Sequence, residues 1–382
     1  NDKCNLACDY CCVLDSLNQG NEISDEDVFE FFAWQLPLYS KEEEHTVEFF
    51  GGEPTLSWDR LRNVINYLDV EFSEYKISYR IYTNCIFNNK VRIDHETWSR
   101  FDDIICSIDG DFITNQFRTK SKKLHSKSIE NFQYLLTTKR AGIAFVLHPE
   151  TPLNDVYNYF NDMGTRYYHF EIATLWKDNE DNSITLRYLL DVFKFITDKI
   201  LIPNSKNPSN FKLFSVPREL LSPSNYFISP ERKSCLDGMR SLSPKGNIYF
   251  CRDLAVSEEH LLKTAESQAK YIFKENTFKP YNIKDLQLDK SSNEYSSVAR
   301  GYDLLTSCPV RSFEYEHFVK EIPQWISDKD FQDIVIRPMF ELMFLTFSGY
   351  NNNHLEDSIF LSDYKNKVNF YSDLLETYEQ YL

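Results

Sequence analysis

Glycine is scarce, with 10 residues in a chain of 382, and methionine (4) and tryptophan (5) are scarcer. So little glycine excludes a collagen-like or other fibrous chain. Positive charge is short as well: 42 Lys and Arg stand against 58 Asp and Glu, a formal net charge of −16. No basic footprint for nucleic acid is present. The acidic balance argues against DNA or an anionic membrane and leaves room for a cationic peptide. Long apolar runs are missing too. A membrane helix needs roughly 20 apolar residues. The best stretch, 339–347, is short and contains Glu341. No secretory signal is visible, and the chain begins at Asn1 rather than Met, so further natural sequence is expected before it.

What is present is ordinary for a globular protein: 42% hydrophobic and 26% charged residues, with 24 Tyr and 30 Phe to fill a core. The length suits one large domain plus an accessory one.

Nine cysteines occur, at 4, 8, 11, 12, 85, 106, 235, 251 and 308, and four of them crowd between Cys4 and Cys12. A secreted disulfide protein would spread even pairs over its surface. The crowding reads instead as metal or cluster ligation in a reducing cytoplasm. Cys85 and Cys106 lie inside apolar strand-like runs and read as small buried hydrophobes.

From 46 to 173 strand and helix signals alternate, the pattern of βα units on a parallel sheet. Strands are expected at 46–50, 77–82, 104–108, 143–147 and 167–172, and helices at 56–70, 95–101, 128–138 and 153–163. Five strands fall short of a closed eight-stranded barrel. A sixth is expected before Cys4. A long amphipathic helix is expected over 184–202, followed by a Ser-, Pro- and Asn-rich linker over 204–230. Pro244-Lys245-Gly246-Asn247 is turn chemistry leading into a hairpin strand at 248–250. The end, 331–382, reads as helices interrupted at 351–353.

Cys4, Cys8 and Cys11 form C-x3-C-x2-C, so three thiolates can reach one metal centre from one loop. A structural zinc would ask for a fourth protein ligand. A [4Fe–4S] cluster held by three cysteines keeps one iron open. With an aromatic, Tyr10, before the third cysteine, this segment resembles the signature of the radical S-adenosylmethionine (radical SAM) enzymes. Gly51-Gly52-Glu53-Pro54 is similar to that family's GGEP stretch. Tyr82-Thr83-Asn84 is similar to its TNG, and Ser107-Ile108-Asp109-Gly110 to its SIDG. Arg118 falls where many peptide-modifying members carry an arginine. Cys85 departs from the pattern, standing where the family has glycine.

The resemblance implies an α/β fold: a partial (βα)6 barrel, a C-terminal auxiliary-cluster domain of the twitch or SPASM kind, and a helical tail. The expected divisions are the barrel over 1–183, a helix and linker over 184–232, the auxiliary domain over 233–320 and a helical segment over 321–382. It also implies that the open iron chelates the amino and carboxylate groups of S-adenosylmethionine. One-electron reduction then splits the sulfonium to a 5′-deoxyadenosyl radical. Tyr10, Gly51, Gly52, Glu53, Pro54, Asn84, Ser107, Asp109 and Arg118 would line that cofactor. The glycines would let backbone approach the methionine amino group, and Arg118 could grip a carboxylate bidentately.

Cys235, Gly246 and Cys251 follow C-x10-G-x4-C, which is similar to the opening of a SPASM or twitch extension. Only Cys308 follows, with Arg311 where a C-x2-C partner would stand. Cys235, Cys251 and Cys308 would therefore hold at most one auxiliary iron–sulfur cluster. The function implied is oxidative modification of a ribosomally made precursor peptide, a basic one suiting the acidic chain, with a flavodoxin or ferredoxin as reductant. Three alternatives stay open. They are a small-molecule dehydrogenase of the same superfamily, a formylglycine-forming sulfatase maturase, and a non-catalytic iron–sulfur or zinc protein.

Overall fold

A computed structural model describes residues 2–11, 17–20, 22–138, 141–147, 151–172, 185–207, 210–216, 241–249, 281–282, 329–351 and 357–380. Its strands are β1 (Glu44–Phe49), β2 (Lys76–Thr83), β3 (Asp103–Ser107), β4 (Ala141–Leu147), β5 (Tyr167–Ile172), β6 (Leu213–Ser215), β7 (Ser241–Leu242), β8 (Asn247–Tyr249) and β9 (Tyr281–Asn282). Its main helices are α1 (Asp25–Gln35), α2 (Trp58–Glu71), α3 (Asn89–Arg92), α4 (His95–Ser99), α5 (Lys122–Thr138), α6 (Leu153–Asp162), α7 (Leu186–Ile196), α8 (Ile202–Lys206), α9 (Arg337–Asn351) and α10 (Ser358–Glu379). Strands β1 to β6 follow chain order in one sheet, and the registered pairs are parallel. Parallel neighbours need crossovers, and α2 to α8 supply them. This is the α/β, six-strand architecture the sequence predicts, with the helical tail in α9 and α10. One strand that the sequence reading did not expect, β6, lies inside the stretch read as linker. Strands β7 to β9 form a small antiparallel sheet. Its β7–β8 turn closes through Gly246 N–H to the Ser243 carbonyl (3.0 Å), with Gly246 at φ +83°.

The chain divides into two compact units. The first contains residues 1–107, 117–140 and 229–305. Apolar side chains of β2 and β3 (Ile81, Ile104, Cys106) are fully buried, as is Leu68 of α2. Trp58, Trp98, Phe101 and Phe87 pack with ring centroids 4.5–6.3 Å apart. Both indole N–H groups are satisfied, Trp58 at Asp94 Oδ2 (2.9 Å) and Trp98 at the Val91 carbonyl (2.8 Å), as burial requires. Periodicity did not predict α1. Its signal is a cap: Ser24 Oγ accepts from Asp27 N–H (3.1 Å), with Asp25, Glu26 and Asp27 in the first turn. Arg60 of α2 donates to Asp25 Oδ1 (2.6 Å) and ties the two helices.

The second unit contains residues 108–116, 141–228 and 306–382. Helices α6 and α7 cover one face of its strands: Tyr157 stacks on Tyr168 (5.2 Å) and meets Phe195 edge-on (5.7 Å), and Phe145 meets Phe170 (5.0 Å). The single helix expected over 184–202 is broken by a π-turn at Thr197–Leu201 before α8. Pro203 has no N–H, so the Lys199 carbonyl lacks its usual helical donor. The Tyr157 hydroxyl donates to that carbonyl instead (2.9 Å). Gly349 of α9 lies against Phe360 of α10; a Cβ there would come within 2.2 Å of the ring. Glu379 accepts from Arg187 (2.5 Å) and pairs with Lys194, fixing α10 to α7. No helix among the described residues is long and apolar enough to cross a membrane.

Lys212, just before β6, is 7% exposed. Its ammonium donates to the Tyr157 hydroxyl (2.6 Å) and lies 5.0 Å from that ring. Burial pulls its pKa below the ordinary lysine value. Between the depressed folded value and the unfolded value the unfolded chain binds more protons, so stability rises with pH there. Lys212→Met should therefore be more stable than wild type near neutrality. That advantage should shrink as pH climbs towards the ordinary lysine range. Urea melts at several pH values measure it.

Candidate cluster and cofactor site

The cysteine loop is tied down by backbone and amide contacts, all within the first unit. Glu53 N–H donates to the Lys3 carbonyl (2.7 Å), next to Cys4. Gly52 makes this approach possible, since a Cβ there would lie 2.2 Å from Lys3 O. Gly51 has φ +123°, a conformation open to glycine and costly to other residues. Cys4 N–H donates to Asn18 Oδ1 (3.2 Å). Asn5 bridges to the end of β2: its amide donates to the Ile86 carbonyl (2.8 Å) and its Oδ1 accepts from Asn84 Nδ2 (2.7 Å). Asp9 N–H donates to the Phe117 carbonyl (2.8 Å). Beside that contact, the Arg118 guanidinium lies 5.3 Å from the Tyr10 ring centroid, within cation–π range.

Glu53 is the hub. It is 1% exposed. Its Oε1 accepts from Thr55 N–H (3.0 Å), the Thr55 hydroxyl (2.5 Å) and the Thr83 hydroxyl (2.8 Å); its Oε2 accepts from Asn84 N–H (2.7 Å). Burial pushes its pKa up, against the pull of these hydrogen bonds. The carboxylate thus braces the β1 and β2 ends. Pro54 opens the short 3-10 turn Pro54–Ser57 that Glu53 caps. Asn84 is braced in turn: its Oδ1 accepts from Ile86 N–H (2.9 Å) and its carbonyl from the Ser128 hydroxyl (2.6 Å).

Cys85 is fully buried at φ +60°, a backbone geometry that favours glycine. Burial raises its thiol pKa, as does a hydrogen bond with Cys106. Both cysteines are fully buried, as the sequence predicts. Ser107 ends β3 and is half-buried. Asp109 belongs to the second unit, where its Oδ1 accepts from Val146 N–H (3.0 Å) and its own N–H donates to Asn115 Oδ1 (2.9 Å). These bonds tie the loop after β3 to β4.

Cys4, Cys8 and Cys11 are all half-buried. Leu6 N–H points at Cys4 Sγ (3.4 Å), and Cys11 N–H bonds to the Cys8 carbonyl (3.1 Å). Burial pushes the Cys4 thiol up to about 11, with Glu53 and Cys11 adding to the rise. Among the described residues no group of three His, Cys, Asp or Glu closes on a single metal ion. Three soft thiols on one anchored loop, one already receiving an N–H, suit an iron–sulfur cluster. Loading it would release the Cys4 proton. Cys12, Cys235, Cys251 and Cys308 lie outside the described residues. Asn5 and Thr83 are the positioning residues that sequence reasoning missed. Asn5 follows Cys4 directly and Thr83 sits inside the Tyr82-Thr83-Asn84 match, so their places in the motifs were the available signal.

A family model described as a 4Fe-4S single cluster domain matches residues 1–133. No curated protein sequence matches the chain. Among solved structures, native anSMEcpe with bound AdoMet and Kp18Cys peptide is similar at 18% identity and TM-score 0.52, over 70% of this chain and 78% of that one. Histidine-tagged anSMEcpe with bound AdoMet gives 17% identity and TM-score 0.51, over 70% and 76%. Streptococcus suis SuiB bound to precursor peptide SuiA gives 15% identity and TM-score 0.50, over 78% of this chain and 65% of SuiB.

Two substitutions probe the frame. Glu53→Ala strands four donors around a buried void and should cost about 3 kcal/mol or more in denaturant unfolding. Cys85→Val puts a β-branched side chain at φ +60° and should cost about 2 kcal/mol or more. Cys85→Gly, measured in the same melts, should cost less than the valine. In its strand order, crossovers and motif-bearing strand ends, the chain has the fold of the radical SAM enzymes.

Proposed function

We propose that this chain is a radical SAM enzyme. It would cleave S-adenosylmethionine reductively and abstract hydrogen from a ribosomally made precursor peptide, leaving an oxidative change such as a thioether, carbon–carbon or carbon–oxygen crosslink. The observation that carries the reading is the loop of Cys4, Cys8 and Cys11, hydrogen-bonded at Lys3 to the Gly51-Gly52-Glu53 strand end and at Asn5 to Asn84. A [4Fe–4S] cluster bound by the three thiolates would supply the electron for cleavage and an open iron for the cofactor. The chain's own residues hold and orient. Gly51 and Gly52 offer bare backbone to the methionine end of the cofactor. Glu53 keeps that backbone in place through Thr83 and Asn84. Arg118, stacked with Tyr10, is suited to the cofactor carboxylate, and Ser107 to a ribose hydroxyl. Tyr10 would cover the cluster or the adenine.

The peptide half of the reading is supported by the similar structures, which are described with bound AdoMet and a peptide and with precursor peptide SuiA. The excess of acidic over basic residues suits a basic peptide. Cys235, Cys251 and Cys308 are proposed to hold one auxiliary iron–sulfur cluster. A flavodoxin or ferredoxin would be the reductant, and the cytoplasm the location.

Anaerobic reconstitution followed by dithionite and S-adenosylmethionine should yield 5′-deoxyadenosine. Cys8→Ala should abolish it; a variant that still forms it would sink the cluster assignment. Iron of about eight atoms per chain supports two [4Fe–4S] clusters, and about four removes the auxiliary one. Cys308→Ala should keep cofactor cleavage and lose the modified peptide, scored by mass spectrometry on a short peptide encoded beside the gene.

A further inference from the structure

Between Asp111 and Glu130 the chain carries no acid and five basic residues, Arg118, Lys120, Lys122, Lys123 and Lys127. No other acid-free run of the chain holds as many, and the net charge of the whole is −16. Lys120, Lys122, Lys123 and Lys127 are all exposed. Lys120 stands 4.0 Å from Asp9, and Glu130 is paired with Arg92. The ammonium groups of Lys122, Lys123 and Lys127 meet no acid among the described residues.

Helix stability does not explain these lysines. Lys122 and Lys123 open α5, whose first turn holds no acid. The start of a helix carries partial positive charge and disfavours cations; α1 has Asp25, Glu26 and Asp27 in the same place. Lys123 and Lys127 lie four apart on the helix, where like charges repel. Charge held against local preference points to a use outside the fold.

The strip is fixed to the cysteine loop. Asp9 N–H donates to the Phe117 carbonyl (2.8 Å), and the Arg118 guanidinium lies 5.3 Å from the ring of Tyr10, the neighbour of Cys11. From α5, the Ser128 hydroxyl donates to the Asn84 carbonyl (2.6 Å) and the Asn131 amide to the Cys85 carbonyl (2.8 Å). Asn84 in turn holds Asn5 (2.7 Å). All of these residues belong to the first unit.

We propose that Lys120, Lys122, Lys123 and Lys127 form the docking surface for an acidic electron-carrier protein of the flavodoxin or ferredoxin kind. The proposal rests on the radical SAM reading for its purpose, and the docking is measured without it. Charge complementarity selects the occupant. An acidic carrier is repelled by the chain as a whole and drawn to this strip, which seats it beside Cys11. A basic precursor peptide is repelled here. In the docked pair a reduced flavin hydroquinone becomes the semiquinone, and the one electron it loses passes to the oxidised cluster.

The test compares two charge reversals in the full chain: Lys122→Glu with Lys123→Glu on α5, and Lys365→Glu with Lys367→Glu on α10. They change the net charge equally. In calorimetric titration with flavodoxin at low salt, the α5 variant should bind about tenfold or more weakly and the α10 variant within about twofold of wild type. The α5 deficit should fade at about 0.5 M salt. Denaturant melts keep a folding defect apart, since acids at the start of α5 should leave it no easier to unfold. If that variant does melt early, Lys122→Gln with Lys123→Gln decides, and unchanged affinity there overturns the proposal. No binding by wild type, unchanged affinity in the α5 variant, or equal weakening in both variants also overturns it. So does an α5 reversal that weakens a hexaglutamate peptide and not flavodoxin, which would make the strip a peptide site. Dithionite needs no docking surface, so dithionite-driven 5′-deoxyadenosine should be unchanged in the α5 variant. Its absence in wild type would overturn the radical SAM reading and leave the docking result standing.

Discussion

A single buried carboxylate organises the cysteine-bearing end of this protein. Glu53 is removed from water, which is costly for an ionised group unless donors surround it. Four donors do so, two from Thr55 and one each from Thr83 and Asn84. They come from the turn that follows β1 and from the end of the neighbouring parallel strand β2, so one side chain links the two. Its backbone N–H reaches the opposite way, to Lys3, and brings the cysteine loop into the same frame. Glu53 thus shapes the loop that carries Gly51 and Gly52.

This arrangement explains which parts of the site were readable from the sequence. Gly52 stands out because a side chain there would collide with Lys3. Glycine elsewhere in the chain is rare, so two adjacent glycines after an apolar strand carry information. The strands and helices from 46 to 172 were legible because each buries one face and so repeats with its own period. Asp109 was legible as a motif residue, and the coordinates add that its carboxylate accepts from Val146 N–H.

The misses have physical causes. Strand β6 is three residues long and sits in a stretch rich in Ser, Pro and Asn. Three residues are too few to show a period of two, and its pairing partner β5 lies more than forty residues earlier. The break in the helix after Ile196 is signalled by Pro203, but a proline can end a helix or merely bend it. What settles the outcome is Tyr157, from another helix, whose hydroxyl takes the carbonyl that proline leaves unused. Cys85 looked like a harmless departure from glycine. Its positive φ shows that the backbone demand persists while the glycine does not, so the burial of its thiol has to outweigh the strain.

The cysteine loop also bears on the order of folding and cluster binding. A structural zinc finger has no fold until its metal arrives. Here hydrogen bonds join Lys3 to Glu53, Asn5 to Asn84 and Ile86, and Asp9 to Phe117. A cluster bound here would have to displace the thiol protons, above all that of Cys4, whose pKa burial raises. The Leu6 N–H directed at that sulfur stabilises the thiolate once it forms, because a donor favours the charged acceptor over the neutral one.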